Sequence, residues 1–140
     1  MAKTTYFEEL ELGQTAMMVK AVREADVIAF ADISGDHNPL HLDEVYAKGT
    51  IFKGRIAHGM LTAGYISAVF AMQLPGPGAV YVSQTLNFRG PVRLGDEVKA
   101  LVRVIDLYPA KKRAKFDCVC TVGDRVVLEG EAIMMVPAKA

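Results

Sequence analysis

The stretch from Gly59 to Leu74 contains no charged residue, and this limits the fold more than any other feature of the chain. Met60, Leu61, Tyr65, Ile66, Val69, Phe70, Met72 and Leu74 alternate there with Ala63, Gly64, Ala68 and Ala71. A helix lying on a surface shows a polar stripe; this one has none and is expected to be buried on nearly every side. Its small residues let other backbone come close, and Pro75-Gly76-Pro77-Gly78 ends it firmly. The remainder of the chain must therefore wrap it.

The second half has the residues to do so. Ala79 to Phe88, Glu97 to Tyr108, Arg113 to Val122 and Arg125 to Pro137 are β-rich, and Gly123-Asp124 reads as a tight hairpin reversal. Before the apolar segment, Thr15 to Val22 reads as a strand, Asp26 to Ser34 as a helix stopped by Gly35, and Asp43 to Lys48 as a short helix. One long buried helix followed by several long antiparallel strands is an α+β pattern, with the sheet wrapped round the helix. No repeat or linker divides residues 1–140, so a single domain is expected.

Charge narrows the functional classes. The 16 basic residues balance the 16 acidic ones, which gives no electrostatic case for nucleic acid or an anionic membrane. Lys111, Lys112, Arg113 and Lys115 form a local basic patch, read as a solvated turn. No apolar run reaches the roughly 20 residues that span a bilayer, and Met1 to Glu11 lacks the hydrophobic core of a secretory signal. Cys118 and Cys120, two apart in a strand, fall on one face as small hydrophobes, and a cytoplasmic location is expected. Phosphate-loop, dinucleotide-binding and nucleophile-elbow motifs are missing from the sequence.

The chemistry is concentrated in Ser34-Gly35-Asp36-His37-Asn38-Pro39-Leu40-His41. A carboxylate, two imidazoles and an amide follow an apolar helix, where desolvation makes polar groups costly unless they have a task. Pro39 fixes its own φ and pushes Asn38 toward extended geometry, so Asp36 to His41 is expected to be a stiff loop. General acid–base work needs such fixed geometry. A second cluster, Arg55-Ile56-Ala57-His58-Gly59-Met60, precedes the buried helix. The free N–H groups at that helix start suit an oxyanion, Gly59 lets a carbonyl approach its backbone, and His58 is expected to cap the helix. His37 is expected to face solvent.

Gly35-Asp36-His37-Asn38-Pro39-Leu40-His41-Leu42-Asp43, His58-Gly59-Met60-Leu61, Phe88-Arg89-Gly90-Pro91-Val92 and Gly95-Asp96-Glu97-Val98 together resemble the MaoC-like, (R)-specific enoyl-CoA hydratases of the hot-dog fold. The likeness runs from about Phe7 to Val136. It implies a catalytic pair in Asp36 and His41, a thioester-binding N–H at Gly59, and a supporting Asn38. It also implies an active-site serine at Ser67, and His58 is a candidate supporting contact. The family resemblance implies a homodimer with sheets joined edge to edge and an acyl-CoA substrate bound near the interface. No metal and no cofactor is required.

The expected reaction is reversible addition of water across the 2,3 double bond of a short- to medium-chain trans-2-enoyl-CoA, giving the (R)-3-hydroxyacyl-CoA. Such a reaction serves fatty-acid metabolism or polyhydroxyalkanoate precursors. His41 is assigned as base and Asp36 as acid, although two coupled groups share their protons. The competing readings are a hot-dog acyl-CoA thioesterase and a non-catalytic acyl-thioester binding module.

Overall fold

In the computed structural model, which describes residues 2–140, the uncharged segment forms helix α4 (Gly59–Met72). Thr62, Ala63, Tyr65, Ile66, Val69 and Phe70 are its buried residues. The expectation of burial on every side holds for one face only: Met60 and Met72 are more than half exposed, and Gly64 is open. A charge-free sequence marks what water should not touch, and here the chain alone leaves part of it uncovered.

Three helices precede α4: α1 (Glu24–Ser34), α2 (Pro39–Leu42) and α3 (Glu44–Lys48). The strands are β1 (Thr15–Ala21), β2 (Val80–Gln84), β3 (Asn87–Phe88), β4 (Glu97–Tyr108), β5 (Arg113–Val122) and β6 (Arg125–Met135). They form one antiparallel sheet in the order β1-β4-β5-β6-β2, with β3 also pairing with β6. Helix α4 lies against β4, β1, β5 and β6, so the sheet curls round it as the sequence pattern requires.

Period-2 alternation builds the inner face of that sheet. Val98, Ala100, Val102 and Val104 of β4 point inward, as do Ala114, Phe116, Cys118 and Cys120 of β5. Both cysteines are free and fully buried, and burial pushes each thiol up to about 12, so they act as packing residues. Phe70 of α4 meets Phe116 edge-on at 4.9 Å between ring centroids, a contact worth about 1 kcal/mol beyond burial.

Several boundaries differ from expectation. Helix α1 starts two residues early, because the Asp26 carboxylate accepts from the backbone N–H of Arg23 and from the Arg23 guanidinium as well. The strand expected over Ala79–Phe88 breaks between β2 and β3, where the Thr85 carbonyl occupies the space a Cβ on Gly130 would need. The largest correction concerns the polar run. It is not a loop throughout, since Pro39 opens α2 with the Asn38 side chain accepting from the Leu40 N–H. Proline at the first helical position lacks only an N–H that would go unpaired anyway.

Candidate active site

Gly35 sets the geometry first. It caps α1 in the left-handed conformation, φ +82°, where glycine carries no steric penalty, and so turns the chain sharply into Asp36. The Asp36 backbone N–H donates to Ser34 Oγ at 3.1 Å, and its carboxylate accepts from the Asn38 N–H at 3.2 Å. Asn38 thus serves both partners: its backbone N–H holds Asp36, and its side chain caps the turn carrying His41. Asp36 is exposed, whereas His41 is buried.

The His41 ring is fixed by the chain beyond α3. Its Nδ1 lies 2.8 Å from the Ile56 carbonyl oxygen. A carbonyl only accepts, so Nδ1 carries the proton and Nε2 of the neutral ring keeps its lone pair. Ile56 is held in turn, because Ile56 bridges to Arg93 and the Ala57 N–H donates to the Val92 carbonyl at 2.7 Å. Arg55 clamps the turn from outside, its Nε donating to the His41 carbonyl at 2.7 Å and its Nη1 to Glu24 at 2.8 Å.

His58 sits at the start of α4 but makes no side-chain cap bond, contrary to expectation. Its ring turns away from the helix and its Nε2 donates to the Asp36 carbonyl at 3.0 Å. It stacks on His41 with centroids 3.9 Å apart and planes tilted by 29°. Asp36, His41 and His58 thereby bring one ligand-type atom each within 4.8 Å of one another. The stack argues against a shared ion, because two planes at that tilt and spacing converge too far from either nitrogen for bonds of about 2 Å.

Gly59 opens α4, so its N–H belongs to the set that no helical carbonyl reaches. A Cβ here would lie 2.5 Å from the Phe88 ring, so any larger residue must push that half-exposed side chain aside. A cavity of about 500 Å³ begins at this point, lined by Phe52, Ile56, Ala57, Gly59, Thr62 and Phe88 among others. Neither Asp36 nor His41 lines it; Ile56 and Gly59 are its links to the cluster.

Ser67 is not brought to that cluster in the single chain. It is half-buried on the open side of α4 and lines a separate cavity of about 420 Å³ with Met60, Gly64, Tyr81 and Val82. His37 is exposed and pairs with Asp32 at 3.2 Å, as its solvent-facing reading requires. The Ile56 carbonyl and the Phe88 ring were not singled out from sequence. Only the strand–turn pattern containing Phe88 drew notice, and a backbone carbonyl leaves no residue-type signal at all.

A MaoC like domain matches residues 8–130. The chain belongs to this family. It is 56% identical over 137 residues to the 3-hydroxybutyryl-CoA dehydratase of Methylorubrum extorquens, covering 98% of this chain and 87% of that one. It is 54% identical over 134 residues to the (R)-specific enoyl-CoA hydratase of Rhodospirillum rubrum, covering 96% and 93%. Among solved structures it resembles the unliganded R-hydratase of Pseudomonas aeruginosa, with a TM-score of 0.91, 43% identity, and coverage of 97% of this chain and 88% of that one. The helix wrapped by an antiparallel sheet is the hot-dog fold of this MaoC-like family.

Proposed function

We propose that residues 1–140 act as one domain, an (R)-specific trans-2-enoyl-CoA hydratase working in reverse as an (R)-3-hydroxyacyl-CoA dehydratase. The observation that carries this reading is the approach of the Asp36 carboxylate and the His41 ring within 4.8 Å, next to the free N–H end of α4. The names of relatives that share more than half of its residues support the same chemistry.

In this reading water lies between the pair, over C3 of the substrate. His41 Nε2 takes its proton as the new C–O bond forms, and the electron pair of the double bond moves toward C2 and the thioester oxygen. Asp36, as the acid, delivers a proton to C2, and the proton held by His41 then restores the carboxyl group. Charge gathering on the thioester oxygen meets the Gly59 N–H, a term of about 3 kcal/mol for a well-placed donor. The fixed Nδ1–H tautomer supports His41 as the base, because it leaves Nε2 free to accept.

The reading includes a homodimer. Its support is the edge strand β2, with Val80, Tyr81 and Val82 exposed and Met60 of α4 beside it. Ser67 lies next to that edge, which supports a substrate-side role for it in the assembled protein. A cytoplasmic setting is part of the same reading, supported by free, buried cysteines. No helix among the described residues is long and apolar enough to cross a membrane.

The test is crotonyl-CoA. Loss of its enoyl thioester absorbance, with (R)-3-hydroxybutyryl-CoA as product and no free thiol, is the expected result. Thiol release would assign a thioesterase, and a flat trace across short and medium chains would leave only a binding module.

A further inference from the structure

His58 is more deeply buried than His41, at 2% exposed against 8%, yet it stands outside the proton transfers described above. Its surroundings are specific on three sides. Nε2 donates to the Asp36 carbonyl, one ring face stacks on His41, and the Phe30 ring of α1 lies 4.8 Å away at a 52° tilt. The carbonyl partner requires the proton on Nε2, so Nδ1 of the neutral ring bears a lone pair. That Nδ1 is buried without a partner among the described residues, as is Thr62 Oγ1 one turn further along α4.

We propose that His58 is a positioning residue for the Asp36–His41 pair, its Nε2–H fixing the backbone that carries the carboxylate and its ring face fixing the plane of the base. The proposal rests on the hydratase reading and deepens it. Of the titratable residues, His41 stacks on this ring and Asp36 takes its hydrogen bond through the backbone carbonyl, while His37 acts on it only through its charge. Burial is the largest influence and pushes the His58 pKa down from its ordinary 6.5, outweighing the hydrogen bond to the Asp36 carbonyl, which favours the charged ring. A neutral neighbour suits the work of His41, which gains a proton during turnover and would be opposed by a like charge at stacking distance.

Two measurements on the full-length protein test this. In nitrogen-15 NMR of the wild type, above the pH at which the ring protonates, His58 is expected as the Nε2–H tautomer. An Nδ1–H tautomer, which leaves Nε2 without a proton for the Asp36 carbonyl, overturns the proposal. Kinetics then separate the two contacts. His58→Phe keeps a ring face and loses the donor, while His58→Gln keeps a donor and loses the face. Each is expected to lower kcat for crotonyl-CoA about 10²-fold, the scale of a small misplacement of reacting groups, with KM within about 2-fold. A kcat within about 3-fold of wild type in either variant, or an effect confined to KM, overturns it. The NMR result needs no variant, so a substituted chain that fails to fold does not shield the proposal. If the wild type hydrates no enoyl thioester, the hydratase reading fails, while the tautomer still decides where the His58 proton sits.

Discussion

Two polar segments of this chain look alike in composition and differ in every physical respect. Gly35–Leu42 and Pro109–Lys115 each crowd titratable side chains around a proline. In the first, His41 is buried, its tautomer is set by the Ile56 carbonyl, and a second imidazole is stacked against it. In the second, the lysines keep their ammonium groups at the surface: Lys112 reaches Glu8 at 3.4 Å and lies over the Phe7 ring, while Lys115 pairs with Glu131 at 3.2 Å. Exposed ion pairs of this kind contribute little. Density of charge is therefore a poor guide to chemistry. What sets the first segment apart is that backbone carbonyls from elsewhere in the fold decide where its protons sit.

The sharpest way to break this comparison is to remove the pair itself. Asp36→Asn and His41→Ala should each lower kcat for crotonyl-CoA by about 10²–10⁴-fold, with circular dichroism and oligomeric state unchanged. Near-normal turnover in either would place the two segments on the same footing. Asn38→Ala comes next. Loss of its cap on α2 should cost about 1 kcal/mol of stability in denaturant titration, and should also lower kcat because that turn carries His41.

A pH series sharpens the contrast further. Because burial lowers the His58 pKa, the unfolded chain binds more protons than the folded one below the ordinary value of 6.5. Stability should therefore fall as pH drops below 6.5 until the folded-state pKa is reached, and His58→Gln should flatten that slope in thermal melts. The smallest effect belongs to the other segment. Lys112→Ala should leave turnover unchanged and shift stability by no more than about 0.5 kcal/mol.

Much of this was legible before any coordinates. The missing charges between Gly59 and Leu74 announced a wrapped helix, and the alternation through Cys118 and Cys120 announced the sheet that wraps it. Asp36 and His41 stood out because water-loving groups there need a reason. The failures are of two kinds, local capping and distant hydrogen bonds. Pro39 was read as preventing helix when its place at the first position permits it, and Arg23 was overlooked because it is the Asp26 carboxylate, three residues on, that accepts from its N–H. His58 was expected to cap α4, but its direction is decided by the Asp36 carbonyl, far away in sequence. Periodicity reports which face is dry; it does not report which distant oxygen a ring will find.

The fit between Gly59 and Phe88 ties together two positions far apart in the chain. Alanine at 59 would displace the ring opposite, so what each position tolerates depends on the residue at the other. Substituted singly and together, the two sites should show strong epistasis: Phe88→Ala ought to rescue packing that Gly59→Ala alone disturbs.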